Sequence, residues 1–182
     1  LGSLISSMLS MTQIENGSLT PDRNLVKLND VVSDAFEEAK SLAADRDYTF
    51  ELHVPKEMGP VLVDKDLVRV AINNLLSNAV KYNQAGGLVR LSIDETEDAI
   101  QIRVEDTGIG ISEEEEARIF EKFFRSDDER VQQQGGHGLG LALARQIIEL
   151  HNGTLSLNRD RPEGSEFIIN FWKETTAVRQ AI

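Results

Sequence analysis

Apolar residues recur at helical spacing from the first position: Leu1, Leu4, Met8 and Met11 fall at i, i+3, i+7 and i+10, and Ile5 widens the stripe. Glu15-Asn16-Gly17 ends this helix, with Gly17 as a left-handed cap and Pro21 close behind. So short a helix is marginal alone and must pack on something. Its pattern begins in mid-stride, as at the end of a longer helix. Residues 18–29 read as a linker. Val32, Ala35, Phe36, Ala39 and Leu42 then mark an amphipathic helix, and Tyr48, Phe50, Leu52 and Val54 alternate as a strand closed by Pro55. Asp64 is a natural N-cap for a helix carrying Leu67, Val70, Ala71, Leu75 and Ala79. Gly86-Gly87 turns the chain into two strands, 88–94 and 99–106. Phe120, Phe123 and Phe124 form the apolar face of a short helix, and the Gln-rich stretch 126–135 reads as a loop. A helix at about 138–151, with Gly153 after its end, and strands 154–158 and 165–172 complete the pattern. Residues 174–182 form a tail without pattern. The order predicts an α+β fold: one domain at 30–173 preceded by a helical remnant.

Composition narrows the function classes. The chain has 182 residues, no cysteine and a net charge of −12. Disulfides, thiolate metal sites and a cysteine nucleophile are excluded, in accord with a reducing compartment. No apolar run approaches the ~20 residues of a membrane span, so no direct membrane insertion is expected. The acidic balance argues against a surface built to coat nucleic acid.

Three segments carry candidate chemistry. Asn74, Asn78, Lys81 and Tyr82 lie at i, i+4, i+7 and i+8, one helix face, opposite apolar Leu75, Leu76 and Ala79. An Asn amide oxygen is a hard, neutral ligand suited to Mg2+ held also by phosphates, and a lysine one turn later neutralises phosphate charge. A solvated face with a capping Asn is the plainer reading. Asp106-Thr107-Gly108-Ile109-Gly110 follows a strand whose Ile100, Ile102 and Val104 share a face, and alternation carries Asp106 inward with them. A carboxylate there is costly unless a donor meets it; a purine exocyclic amine is such a donor, although the pentapeptide alone also fits a simple Asp-x-Gly turn. Gly135-Gly136-His137-Gly138-Leu139-Gly140 opens a helix, where backbone N–H groups and the helix dipole favour an anion. It matches neither the P-loop nor the Rossmann pattern, and a lone glycine cluster is weak evidence. Lys122 and Arg125 remain as phosphate partners, and 126–135 as a lid.

Taken in order, these segments resemble the catalytic, ATP-binding domain of sensor histidine kinases, in the GHKL superfamily. Residues 74–82 are similar to the N box, 106–110 to the G1 box, 120–124 to the F box and 136–140 to the G2 box. Residues 1–17 resemble the end of the dimerisation and phosphotransfer hairpin. The resemblance implies a Bergerat-type sandwich, a mixed sheet backed by helices with ATP on the helical side. It implies Mg2+ at Asn78, nucleotide contacts from Lys81 and Tyr82, and an adenine hydrogen bond to Asp106 with Gly108 and Gly110 beside the base. Gly136, His137, Gly138, Leu139 and Gly140 would frame the lid and phosphates, with Lys122 and Arg125 on the phosphate side. Asn74, Lys81 and Arg125 form the implied catalytic set.

The family's acceptor histidine lies on the first hairpin helix, followed by an acidic residue. His53, His137 and His151 do not fit that context. The acceptor is therefore expected upstream of Leu1, and this chain alone is expected to bind ATP without phosphorylating itself. The implied partners are that hairpin, in the same chain or its dimer partner, and a response regulator. The implied location is the cytoplasm, with an inner-membrane anchor in the parent left open. The rivals are a GHKL-fold ATPase and a nucleotide-binding interaction domain. Hydrolysing relatives carry a glutamate one turn before the metal-binding Asn as general base; here that position is Asn74, which cannot take a proton. Charge sharpens the reading: residues 94–129 hold 14 acids and 4 bases, so ATP binding is expected to depend steeply on Mg2+.

Overall fold

Alternating stretches of the chain form one sheet, and helical stretches cover one face of it. The computed structural model describes residues 2–158, 160–161 and 163–173. In chain order these form α1 (Gly2–Glu15), β1 (Asn24–Val26), α2 (Leu28–Leu42), β2 (Thr49–His53), β3 (Val61–Val63) and α3 (Lys65–Lys81). Then follow β4 (Leu88–Glu95), β5 (Ala99–Asp106), α4 (Glu113–Glu116), α5 (Glu129–Gln132), α6 (Gly140–Leu150), β6 (Thr154–Leu157) and β7 (Ser165–Trp172). Leu1 of the expected apolar stripe and the tail 174–182 lie outside the described residues.

The main sheet has the order β2-β4-β5-β7-β6 and is mixed. β2 runs parallel to β4, a pairing that needs a long crossover, which β3 and α3 supply; the other pairs are antiparallel. Alternation sends Leu91, Ile93, Ile102, Val104, Ile169 and Phe171 into the core, where α2, α3 and α6 pack against them. The opposite face is polar and cross-linked: Arg90 bonds Glu51 at 2.7 Å and Glu105 at 3.0 Å, and Gln101 bonds Asn170 at 2.7 Å. The fold class is thus the α+β class that the order of elements predicts, with the mixed sheet backed by helices that the resemblance implies.

The helix α1 docks on α6. Met11 is only 3% exposed, and Leu4 and Ile14 pack partly against the core. Met8 and Ile5, expected on the same stripe, stay exposed. Leu4 and Met11 of the expected stripe dock, accompanied by Ser7 and Ile14 in place of Ile5 and Met8. Within the expected linker, residues 24–26 pair antiparallel with β3 as a separate two-stranded sheet, and Leu28 already begins α2. Three-residue strands are too short to show a period.

The aromatic segment corrects the sequence reading. No helix runs through Phe120, Phe123 and Phe124; the chain there forms turns. Phe123 is left-handed at φ 63° and 59% exposed, because its N–H donates to the Gly138 carbonyl at 2.8 Å and ties this segment to the glycine loop. Phe120 does reach the core, edge-on to Phe167 at 6.2 Å. The stretch 126–135 is not wholly irregular either, since Asp128 caps the short α5.

The helix α3 serves both core and surface: Val68, Ala71, Ile72, Leu75, Leu76 and Ala79 are buried on one side. We expect Leu76→Ala to cost about 2–5 kcal/mol, whereas Asn78→Ala should stay within about 0.5 kcal/mol. Urea unfolding midpoints of the two variants check this division.

Candidate functional site

The polar face of α3 forms one wall of a cavity of about 320 Å3. Asn74, Asn78, Lys81 and the capping residue Tyr82 all line it. Asn74 donates through Nδ2 to the Val70 carbonyl at 2.8 Å, which leaves its Oδ1 toward α6; a Cβ on Gly140 would come within 2.8 Å of that oxygen. Asn78 makes no side-chain hydrogen bond to another described residue, so its amide is available to a ligand. Lys81 donates to the Tyr82 hydroxyl at 3.0 Å and lies 4.8 Å from that ring's centre.

The floor is Asp106, the last residue of β5 and 5% exposed. Its Oδ1 accepts from the Gly108 N–H at 2.8 Å, and its Oδ2 accepts from the Ser165 hydroxyl at 2.5 Å. Burial pushes its carboxyl above the ordinary range, and these hydrogen bonds only partly pull it back. Ser165 stands opposite Asp106 because β5 and β7 pair in that register. The neighbouring Gly164 is left-handed at φ 67°, and a Cβ there would overlap the Asp106 carbonyl. No spacing in the sequence singled out Ser165; only strand pairing brings it in.

The third wall is the loop before α6. Gly136, His137, Gly138, Leu139 and Gly140 all line the cavity, with Gly110 across from them. A Cβ on Gly136 would strike the Lys81 ammonium, so the loop backbone closes directly over that charge. Arg125 also lines the cavity, but its guanidinium is engaged with the segment before α6: it donates to the carbonyls of Gly136, Val131 and Gln134, each at 2.7 Å. Its Nε is buried without a partner.

Two expected residues lie outside this lining. Gly108 backs Asp106 and faces the adjoining groove. Lys122 is bonded to Glu15 at the end of α1, and Gln146 of α6 donates to the same carboxylate oxygen at 3.1 Å. Conversely, Leu4 and Ser7 of α1 do line the cavity. The helix pattern carried no hint of this, since contact with α6, not periodicity, decides it.

Around the rim, acids stay charged. Hydrogen bonds from Arg130 bring Asp128 down to about 2. Burial pushes Glu115 up, but its hydrogen bonds with Ser126 and Ser112 outweigh that and leave it below the usual carboxylate range. Among the described residues no cluster of three or more His, Cys, Asp or Glu is arranged to hold a metal.

A mixed sheet backed by helices on one face, with a carboxylate-floored cavity under a glycine loop, defines the GHKL class of nucleotide-binding fold. The chain belongs to the family described as "Histidine kinase-, DNA gyrase B-, and HSP90-like ATPase", whose sequence profile matches residues 63–175. It is 33% identical, over 93% of its length, to the sensor-like histidine kinase SenX3 of Mycobacterium tuberculosis. Identity over the same share is 37% to the sensor histidine kinase RppB of Synechocystis sp. and 32% to CusS of Escherichia coli. The chain spans 41%, 37% and 35% of these three relatives. Among solved structures, a mycobacterial sensor histidine kinase, MprB, superposes with a TM-score of 0.70 at 27% identity, covering 82% of this chain and 97% of that one. Full-length ShkA in complex with AMPPNP superposes at 0.79 and 25% identity, over 93% of this chain and 35% of that one.

Asp106→Asn tests the floor. Asn keeps the acceptor for the Gly108 N–H and offers Nδ2 to the Ser165 oxygen, so the fold is preserved. The raised carboxyl makes the buried charge a stability cost at neutral pH, relieved as pH falls through the folded pKa. The expected outcome is an unchanged or higher melting temperature at pH 7, with adenine-nucleotide affinity lowered roughly 10–100-fold. Calorimetric titration and thermal melts measure the two effects separately.

Proposed function

We propose that this chain is the ATP-binding catalytic part of a sensor histidine kinase. In this reading it moves the γ-phosphoryl group of Mg-ATP to a histidine on an adjoining helical hairpin, for relay to an aspartate of a response regulator. Asp106 receives the adenine amino group, with Gly110 beside the base. The phosphates lie between the polar face of α3 and the loop 136–140, whose N–H groups and following helix favour an anion. Asn74, Lys81 and Arg125 face the reacting end. The helix α1 represents the end of the hairpin, and the reaction belongs to the cytoplasm, where ATP is available. Among the described residues, no helix is long and apolar enough to cross a membrane.

The observation that carries kinase over hydrolase is the lack of a carboxylate at the helix position where a general base for water would stand, one turn before Asn78. The residue one turn before Asn78 is the amide Asn74. Of the two carboxylates that line the cavity, Asp106 stands at the base end, bonded to Gly108 and Ser165, and Glu115 is tied to Ser112 and Ser126. Phosphoryl transfer to an acceptor delivered by another domain relies on positioning and charge neutralisation instead.

The donor set fits Mg2+, a hard cation that keeps several waters and takes few protein ligands. Asn78 would hold it, and when bound it offsets phosphate charge beneath an acidic rim. The residues themselves orient the nucleotide: Asp106 at the base, Lys81 against the phosphates, and the glycine loop excluding water above them.

Supplying a hairpin that bears the acceptor histidine tests this function. Phosphate on histidine, with little release of inorganic phosphate when the hairpin is absent, is expected; steady hydrolysis without the hairpin would favour the ATPase reading. Asn78→Asp should keep most nucleotide binding yet lower metal-dependent transfer by roughly tenfold or more, about 1.4 kcal/mol per factor of ten. Full transfer by that variant would remove Asn78 as the metal ligand. Chelating Mg2+ should weaken ATP binding by a comparable factor in calorimetry.

A further inference from the structure

His151 lies outside the cavity, at the C-cap of α6, 7% exposed and edge-on to Phe171. Both ring nitrogens are engaged, and their partners determine the tautomer. Nδ1 is 2.7 Å from the Ile147 carbonyl, which can only accept. Nε2 is 3.0 Å from the backbone N–H of Asp64, which can only donate. Nδ1 therefore carries the proton, Nε2 presents a lone pair, and the ring is neutral.

Asp64 connects this imidazole to the segment between α1 and the domain. Its Oδ1 accepts from the N–H groups of Asp66 and Leu67 at 3.1 and 3.2 Å, capping α3. Its Oδ2 accepts from the N–H of Asp22 at 2.9 Å. The adjacent Arg23 guanidinium donates to the Leu150 carbonyl, next to His151. Residues 22–23 are thus held at one junction, between the start of α3 and the end of α6. Beyond them α1 carries Leu4 and Ser7 to the cavity wall.

We propose that neutral His151 is a proton-sensitive latch that docks residues 22–24, and through them α1, onto the domain. A proton added at Nε2 would point an N–H at the Asp64 N–H, turning a hydrogen bond into a repulsion at the junction. Two charged groups face the ring: Arg23, from the connecting segment, opposes protonation, and Asp64, from the start of α3, favours it. Phe171 on β7 presents only ring carbon. Burial is the main influence and lowers the basicity of His151 below the usual value of 6.5, partly offset by the Ile147 carbonyl. A base whose folded pKa is depressed leaves the unfolded chain binding more protons below 6.5, so the latch is intact at and above neutrality. Its contribution is lost as pH falls from about 6.5 toward the folded pKa.

Nitrogen-15 NMR with amide exchange on the intact chain, from pH 8 to pH 5, tests the latch. At pH 8 the His151 Nε2 should be unprotonated. As pH falls, protection of the amides of Asp22, Asn24 and Asp64, corrected for intrinsic exchange, should drop roughly tenfold with the midpoint of the His151 ring. Amides of β4 and β5 should keep theirs. H151Q, whose side-chain oxygen accepts from the Asp64 N–H without titrating, should hold that protection down to pH 5. An Nε2 already protonated at pH 8 would overturn the proposal. So would a pH-independent junction, or a midpoint separate from that of His151. The wild-type ring titration decides the matter even if H151Q folds poorly.

Discussion

A carboxylate carried into the core on the last residue of β5 constrains much of the surrounding structure. Asp106 shares its face with Ile100, Ile102 and Val104, and desolvation there is expensive unless hydrogen bonds replace water. Two donors do so, the Ser165 hydroxyl and the Gly108 N–H, and each imposes a condition on the chain. Ser165 can reach only if β7 pairs with β5 in the observed register, which in turn places Phe167, Ile169 and Phe171 in the core. Gly164 must lack a side chain because the Asp106 carbonyl fills the space where a Cβ would go. The same residue that is costly to the fold remains one with acceptor capacity to spare, since a carboxylate offers about four lone-pair sites.

Positive charge is the second constraint. The Lys and Arg of the cavity lining are already engaged within the protein, Lys81 with Tyr82 and Arg125 with three carbonyls of residues 131–136, while Lys122, outside the lining, is bonded to Glu15. Around them the rim acids are held ionised by their own hydrogen bonds. A polyanion entering this cavity must compete for cations that the fold has already committed.

Much was legible in advance where one local rule dominates. The two faces of α3 follow from helical geometry, because Asn74, Asn78 and Lys81 can only stand opposite Leu75, Leu76 and Ala79. The inward position of Asp106 follows from strand alternation in the same way. The segment around Phe123 was misread because aromatic spacing mimics a helix, while a single hydrogen bond to Gly138, fifteen residues away, sets its backbone. The stripe on α1 was read in part, Leu4 and Met11 docking while Ile5 and Met8 stay exposed, since amphipathicity says which residues are apolar but not which neighbour they meet.

The sequence by itself determined the longer helices and strands, the fold class and the line of boxes that places the chain in its family, because these depend on residues near one another along the chain. Only the tertiary structure decided that Ser165 supports Asp106, that Arg125 braces the lid, and that Leu4 and Ser7 wall the cavity. It likewise decided that His151 is neutral and bonded to the start of α3. Those hydrogen bonds join residues between 6 and 87 positions apart in the chain, such as Arg125 with Val131 and His151 with Asp64. Local propensity carries no information about them, and hydrogen-bond geometry, which is met or missed within a few tenths of an ångström, settles them only once the chain has packed.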